Sequence, residues 1–288
     1  MLLTLSAGFL SQRTLDLINA HQGRTWSAAM PDYFARKSLE QIHAASVARE
    51  QRPRSGLPPF VPAAAPIPQS FFWPDQRPEC TQFVKDQLSC NAGWAFTNIL
   101  TFAAVRCITG VDAAHTSYSF QEMISCDAHA YGCQHGFTSY GSDYLVKSGV
   151  STERCVGYVS GLTGDSGKCP TRCDDGSRMP AKAKSDGEVK VVGEHSMLLQ
   201  LLKAPLVAEI EIYEDFLYYA SGVYEHTVGE LIGFQGVQIV GWGAEGETRF
   251  WIVKNSWGEA WGEQGFFKIV RGANEAGIES QAFQSFWN

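Results

Sequence analysis

The chain has 288 residues, of which 44% are apolar and 12% aromatic, which is enough to bury the core of one or two globular domains. Twenty-three basic residues against 30 acidic ones give a net charge of -7, which disfavours nucleic acid and other polyanions as partners. No apolar run approaches the roughly 20 residues that cross a bilayer. The sequence therefore predicts no membrane-spanning segment.

The N-terminal part of the chain differs in composition from the rest. Residues 1–10 have the length and apolarity of a secretory signal, although a positive n-region and a clear cleavage site are missing; an apolar, frayed N-terminus is the alternative. Residues 11 to about 55 are polar and compatible with helix, and residues 53–68 are rich in Pro and Ala, which is typical of an extended connector. Every cysteine and most aromatic residues lie in residues 67–288, where we expect the disulfide-bonded domain.

The cysteines indicate the compartment. Eight of them, an even number, lie between residues 80 and 173. This density is typical of proteins that fold in an oxidising environment, so we expect the secretory pathway, ending outside the cell or in a lysosome- or vacuole-like compartment. A zinc site at Cys169 and Cys173 is the competing interpretation, but no second close pair of Cys or His completes a tetrahedron. Disulfides explain the pattern better, and we expect no metal or other cofactor.

Two helices are predicted early in this domain. The clearer one spans residues 92–108, a run nearly continuous in Ala, Phe, Leu, Ile and Val that Gly110 ends, so that it must be buried almost all round. The second begins at Ser119, where Ser-Phe-Gln-Glu fits a capping box with Glu122 as its acidic member.

After residue 187 the pattern changes from helical to strand periodicity. In residues 206–212, small and branched apolar residues alternate with two glutamates, which predicts a half-buried strand. Further strands are predicted over residues 237–240, 250–254 and 266–270. The fold class is therefore α+β, with a mainly helical half followed by a mainly β half.

Two longer segments resemble the papain family of cysteine peptidases. Asp-Gln-Leu-Ser-Cys-Asn-Ala-Gly-Trp-Ala-Phe at residues 86–96 resembles the segment that opens the family's central helix, and Lys-Asn-Ser-Trp-Gly at residues 254–258 resembles its Asn-bearing segment. Shorter matches follow in the family's order at residues 132–136, 241–243 and 265–272. The resemblance covers the chain from about residue 67 onwards. It implies the papain-like two-lobed fold, with a helical N-terminal lobe and a β-barrel-like C-terminal lobe.

Details of the resemblance point to the cathepsin B branch. Ser-Gly-Val-Tyr-Glu-His at residues 221–226 and Gly-Ile-Glu-Ser at residues 277–280 resemble that branch. Residues 11–66 are similar to a cathepsin B propeptide, particularly around Leu17 and Trp26, which implies an inhibitory pro-region; a solvated helical arm is the alternative. The resemblance also implies four disulfides, namely Cys80 with Cys107, Cys90 with Cys133, Cys126 with Cys169, and Cys155 with Cys173.

Peptide cleavage in this family needs a thiolate at a helix N-terminus, an imidazole, a group that orients the imidazole, and donors for the developing oxyanion. By resemblance, Gln87 is the oxyanion-hole donor and Asn255 the orienting residue. The nucleophile's position falls on Gly93, which has no side chain, and the base's position falls on Gln235, whose amide cannot accept a proton near neutral pH. We therefore predict that the chain lacks the cysteine endopeptidase activity of the family.

No other residue is a convincing replacement for these groups. Cys90 would be held in a disulfide and offer no thiol, and Ser89 fits an ordinary loop serine. His135 lies in the segment that resembles the cleft wall and could offer an imidazole, but it fits a partly exposed loop histidine better.

Peptide binding is a separate question from cleavage. Gly136 matches the glycine whose backbone pairs with an extended substrate. Trp257 belongs to the same predicted binding surface, and His135 adds bulk where the family has glycine. Gln281 occupies the base of the pocket for the second substrate residue, where cathepsin B has a glutamate, so a preference for a basic side chain there is in doubt.

Three interpretations of the function follow. The first is a binding protein, expected as a monomer, that holds peptide segments or protein inhibitors of papain-like peptidases. The second is a degenerate copy without a selected function. The third is a peptidase by a non-standard route, which would pair a free thiol or hydroxyl with His135.

Overall fold

The computed structural model describes residues 10–35, 66–280 and 282–286. The prediction of a signal peptide falls almost wholly on residues 1–9, and most of the connector falls on residues 36–65. These ranges, and the predicted pocket residue Gln281, lie outside the described residues.

Most helices precede most strands in the described part of the disulfide-bonded domain, as the sequence predicts. The helices are α1 (Gln12–Ala20), α2 (Asp32–Ala35), α3 (Trp73–Gln76), α4 (Pro78–Thr81), α5 (Gly93–Ile108), α6 (Phe120–Cys126), α7 (Thr138–Lys147), α8 (Ser160–Thr163) and α9 (Glu194–Leu201). The strands are β1 (Trp26–Ala28), β2 (Phe71–Phe72), β3 (Gly187–Val191), β4 (Leu206–Tyr213), β5 (Tyr219–Tyr224), β6 (Leu231–Glu245), β7 (Thr248–Lys254), β8 (Phe266–Val270) and β9 (Ala282–Phe286).

The strands run in the order β1-β5-β8-β7-β6-β4-β9-β3, with β2 paired to β6. The pairs are antiparallel except β5 with β8. Two clusters of buried apolar side chains fill the molecule, one beneath the sheet and one around α5 and α6. This is the papain-like α+β architecture, with a helical lobe and a β lobe.

The predicted helix over residues 92–108 is confirmed as α5, which begins at Gly93 and is buried on almost every side. Phe96 stacks on Phe120 of α6 with ring centroids 4.2 Å apart, which joins the two helices. Gly110 has φ +75°, a left-handed conformation that favours glycine just beyond a helix end.

The capping box at α6 is half correct. Ser119 Oγ accepts a hydrogen bond from the backbone N–H of Glu122 at 2.9 Å, as predicted. Glu122 does not return the bond, because its buried carboxylate accepts from the N–H of Ser151 at 2.7 Å and forms an ion pair with Lys182 at 2.5 Å. The Glu122 carboxylate therefore bonds to Ser151 and Lys182 and not to the backbone N–H of the N-cap residue Ser119.

All eight cysteines form disulfides in the pairing that the resemblance implies, Cys80 with Cys107, Cys90 with Cys133, Cys126 with Cys169, and Cys155 with Cys173. The zinc interpretation is therefore wrong, since Cys169 and Cys173 are each bonded to a different partner. Among the described residues, no group of His, Cys, Asp and Glu is arranged to hold a metal ion, and no helix is long and apolar enough to span a membrane.

The described N-terminal residues dock on the β lobe. Strand β1, which the sequence does not predict, pairs antiparallel with β5, placing Trp26 opposite Gly222. The Trp26 indole is 4% exposed, donates from Nε1 to the carbonyl of Glu225 at 2.9 Å, and lies 5.2 Å from the ring of Tyr224. Gly222 is required, because a Cβ there would lie 2.5 Å from the carbonyl oxygen of Thr25. The described part of this segment, residues 10–35, is therefore docked on the protein and is not a solvated arm.

Replacing Trp26 by Ala should detach this segment, because burial of one indole and its hydrogen bond contributes roughly 3–5 kcal/mol. We expect limited proteolysis to remove the N-terminal residues of Trp26→Ala under conditions that spare the unmodified chain. Leu17→Ala is the control, since Leu17 lies on the same segment but is 56% exposed. Equal protection of the Trp26→Ala variant and the control would contradict the docking.

Candidate functional site

The site lies where β6 crosses the N-terminal turn of α5. Gly236 on β6 allows the close approach, because a Cβ there would lie 2.7 Å from both the carbonyl oxygen of Gly93 and Cγ2 of Thr97. Thr97 Oγ1 donates to the carbonyl of Val237 at 2.7 Å and fixes the helix to the strand. The two lobes therefore meet with no room for a further side chain at position 236.

Gln235 fills the space directly over Gly93. A Cβ built on Gly93 would lie 2.5 Å from Oε1, 2.7 Å from Cδ and 2.7 Å from Nε2 of Gln235. These distances are shorter than real Cβ contacts, so the Gln235 amide occupies the volume that a side chain at residue 93 needs. The glycine and the glutamine form a complementary pair.

The Gln235 amide is held by a buried polar cluster. Its Nε2 lies 3.0 Å from Asn255 Oδ1, 3.2 Å from Ser256 Oγ and 3.1 Å from Gln87 Oε1. Ser256 Oγ in turn donates to Gln87 Oε1 at 2.7 Å. None of the four side chains is more than 3% exposed. This network fixes which end of each amide is oxygen and which is nitrogen, since the oxygens of Gln87 and Asn255 accept and the nitrogen of Gln235 donates.

The structure brings together Gln87, Gly93, Gln235 and Asn255, which the sequence predicts as site residues. Ser256 is a fifth member that the sequence reasoning missed, although it follows Asn255 directly in the Asn-bearing segment. Asn255 Nδ2 is buried and has no hydrogen-bond partner within the described residues. The cluster can donate and accept hydrogen bonds, but its amides and hydroxyl do not titrate near neutral pH.

His135 does not join this cluster. Its ring lies 4.2 Å from that of Tyr131, and burial lowers the pKa of the imidazole. Its Nδ1 atom is buried without a partner among the described residues. Among the described residues, the His135 imidazole therefore makes no hydrogen bond to Ser256 or to another hydroxyl of the site.

Aromatic rings pack against both Gly136 and Trp257. A Cβ on Gly136 would lie 2.6 Å from the indole of Trp94, so packing alone requires glycine there. Trp257 is 3% exposed and is covered by rings of the N-terminal segment, Tyr33 at 6.0 Å and Phe34 at 4.9 Å. The segment therefore covers an aromatic surface that the sequence assigns to ligand binding.

Lys254 lies next to Asn255 but points away from the site. Its Nζ donates to the carbonyl of Thr81, and the ring of Phe266 lies 5.7 Å from Nζ. Complete burial lowers the pKa of this ammonium group to about 7. It lines a separate cavity of about 300 Å³ whose other lining residues lie between residues 79 and 120.

The comparisons place this site in a family. A model of the papain family of cysteine proteases matches residues 67–286, so the chain belongs to that family. It is similar to two cathepsin B-like proteins of Giardia intestinalis: CP3 is 36% identical, with 91% of this chain and 89% of CP3 covered, and CP1 is 38% identical, with 90% and 88% covered. These relatives place the chain in the cathepsin B-like branch.

Solved structures agree with this assignment. The chain is similar to procathepsin B S9 of Trypanosoma congolense, with a TM-score of 0.88, 28% identity, and coverage of 97% of this chain and 99% of that one. It is also similar to the bromelain protease of Ananas comosus solved with the E64 inhibitor, with a TM-score of 0.65, 28% identity, and coverage of 77% and 100%.

A double-mutant cycle tests the pairing of Gly93 with Gln235. Gly93 already has helical backbone angles, so Gly93→Ala should be destabilising only because its methyl group collides with Gln235, by about 1–3 kcal/mol. In a Gln235→Ala background the same change should cost little. Urea unfolding of the four proteins measures the coupling, which we expect to be about 1–2 kcal/mol. Equal effects in both backgrounds would show that the two residues do not compete for space.

The buried Lys254 should make stability depend on pH. Between pH 7 and about pH 10.4 the unfolded chain binds a proton at this lysine that the folded chain does not. The free energy of unfolding should therefore rise through this window by up to about 1.4 kcal/mol per pH unit, relative to Lys254→Met. Below pH 7 both states are protonated and the difference should be constant. Parallel pH profiles for the two proteins above pH 7 would contradict the lowered pKa.

Proposed function

We propose that this chain is a non-cleaving cathepsin B-like protein whose cleft binds extended peptide segments, including those of protein inhibitors of papain-like peptidases. The observation that carries the proposal is the Gln235 amide lying over Gly93, at the junction where the family's chemistry takes place. With all eight cysteines in disulfides, the chain has no thiol to act as nucleophile.

The proposal assigns Gly93 and Gln235 to the positions of the lost nucleophile and base. The hydrogen bond from Gln235 Nε2 to Asn255 Oδ1, 3.0 Å long, is the kind of bond that an imidazole N–H makes to an orienting amide. An amide can imitate that donor, but it cannot take a proton from a nucleophile. Gln87 belongs to the oxyanion-hole position, yet its Oε1 is committed to accepting from Gln235 and Ser256.

Features that concern binding, not cleavage, support a retained cleft. Asn255 Nδ2, which is buried without a partner among the described residues, is a donor that a peptide carbonyl could use. Trp257 offers an indole face once the N-terminal segment leaves it. Gln235 Nε2, Gln87 Oε1, Asn255 Oδ1 and Ser256 Oγ are hydrogen-bonded to one another, while Asn255 Nδ2 remains available to a ligand carbonyl.

We further propose that residues 1–10 are a secretory signal, 11–66 a pro-region and 67–288 the peptidase-like domain of a protein of the secretory pathway, extracellular or lysosomal. The docking of Trp26 and the cover over Trp257 support the pro-region. Because the proposed domain cannot cut, another peptidase would have to remove that segment.

The test uses the full chain, folded and then cut at a specific protease site inserted between residues 45 and 65. We expect no turnover of fluorogenic peptides by this protein, while Gly93→Cys with Gln235→His gains at least about a thousandfold, since removing a catalytic nucleophile or base costs roughly a millionfold. The matched control is Gly93→Ser with Gln235→His, which restores the base without the thiol.

Binding is measured in parallel on the same cut protein, with the natural residues at positions 93 and 235, by titrating it with a reversible protein inhibitor of papain-like peptidases. Tight binding without turnover supports the proposal. Turnover by the natural sequence, abolished by His135→Ala, would establish the non-standard peptidase instead. Absence of both binding and turnover would favour a degenerate copy.

A further inference from the structure

A carboxylate without a cationic partner lies close to the candidate site. Glu209 is on β4, directly opposite Gly236 of β6 in the antiparallel register. Directly opposed residues of an antiparallel pair project from the same face of the sheet. The Glu209 side chain therefore lies on the face that packs against the N-terminal turn of α5, one residue along β6 from Gln235.

The nearest partner of Glu209 is the start of α7. Its Oε2 accepts from the backbone N–H of Thr138 at 3.3 Å and from Thr138 Oγ1 at 3.4 Å. Both bonds are long and use the same oxygen. Thr138 follows Gly136 by two residues, so the carboxylate lies beneath the loop that the proposed peptide would contact.

The rest of the carboxylate is unpaired. Among the residues that the structure describes, no Lys, Arg or His forms an ion pair with Glu209, and no hydrogen bond reaches its Oε1. The side chain is nevertheless only partly exposed, between α5, α7 and the sheet. Glutamates in such positions are rare unless they are paired, because burial disfavours the charged form. Burial accordingly raises the pKa of this carboxyl group.

We infer that Glu209 is a specificity residue that receives a basic side chain, Lys or Arg, of the peptide held in the cleft. This inference rests on the proposed peptide-binding function and deepens it. It also changes what Gln281 implies. By resemblance, Gln281 stands where cathepsin B has a glutamate, and a glutamine there does not supply the charge that would favour a basic side chain of the peptide. A carboxylate on β4 supplies the missing charge from a different strand.

Arginine is the better probe, because its guanidinium can meet a carboxylate with two hydrogen bonds. The purely structural alternative is that Glu209 only ties β4 to the start of α7 through Thr138. Glu209→Gln separates the two roles. The glutamine keeps the size and an oxygen acceptor for Thr138 but loses the negative charge.

The experiment uses the folded full chain, cut in residues 45–65 as above, and fluorescein-labelled hexapeptides. Two peptide series carry either Arg or its neutral isostere citrulline at each of the four central positions in turn. At one position we expect the Arg peptide to bind about 10–100-fold more tightly than the citrulline peptide, as a charge-assisted hydrogen bond predicts. Glu209→Gln should bring this ratio close to 1.

Glu211→Gln is the matched control, since Glu211 is two residues along the same strand and accepts instead from Tyr213 at 2.7 Å. It removes the same charge and should leave the ratio unchanged. Glu209→Asp keeps the charge on a shorter side chain and should retain part of the preference. Thermal unfolding of each variant shows whether it is folded when assayed.

The outcomes separate the two proposals. Binding of the hexapeptides with equal affinity for Arg and citrulline overturns the role of Glu209 and leaves the peptide-binding function standing. A preference for Arg that survives in Glu209→Gln also overturns it. If no hexapeptide binds but the protein inhibitor does, the specificity role fails alone; if neither binds, the proposed function fails with it.

Discussion

Everything at this site depends on the narrow space between β6 and the first turn of α5. Gly236 allows the strand to approach the helix, and the remaining gap holds one side chain of moderate size, contributed by Gln235 from the strand side. A side chain at residue 93 would need the same volume. Because the chain has glycine at 93, a longer residue can lie across the gap. Gly93 and Gln235 are thus sterically linked, and the absence of a side chain at one position makes room for the side chain at the other.

Burying four polar side chains in this gap costs free energy unless their hydrogen bonds are satisfied. Gln235 donates into the cluster, Ser256 relays to Gln87, and Asn255 accepts, so that the oxygens of Gln87 and Asn255 are paired. Asn255 Nδ2 is buried without a partner among the described residues. Such an atom costs about 1–3 kcal/mol, a cost that a ligand carbonyl reaching it would relieve.

The sequence predicts the parts of this protein that depend on local pattern or on residues adjacent in the chain. Helix α5 and strand β4 are predicted correctly, because a continuous apolar run and an alternating one each permit only one buried arrangement. The capping box at Ser119 is only half correct, because a residue distant in sequence, Ser151, competes for the Glu122 carboxylate. Strand β1 is missed, because three residues carry no periodicity and pair only with a partner almost 200 residues away.

The candidate site shows the same division. The resemblance brings Gln87, Gly93, Gln235 and Asn255 together, and the structure places them in one cluster. What the resemblance cannot show is that Gln235 fills the volume over Gly93, since this depends on the distance between two lobes. The strand pattern identifies Glu209 only as one of two glutamates on the face opposite the apolar residues of β4. Its hydrogen bonds to Thr138 at the start of α7, and its place opposite Gly236, become visible only when β4, β6 and α7 are placed in space.

The cover over Trp257 determines how a ligand would reach the proposed binding site. In the uncut chain, Tyr33 and Phe34 are covalently tethered to the site they cover, and a tethered competitor acts at an effective concentration on the order of millimolar. A ligand must compete with the tethered segment. Its apparent affinity is therefore its intrinsic affinity multiplied by the fraction of molecules in which the site is uncovered. Cutting the connection between residues 35 and 66 would convert the tethered competitor into a free fragment that dilution removes. Although this chain is proposed to cleave nothing, its binding site would therefore still be controlled by proteolysis, performed on it by another enzyme.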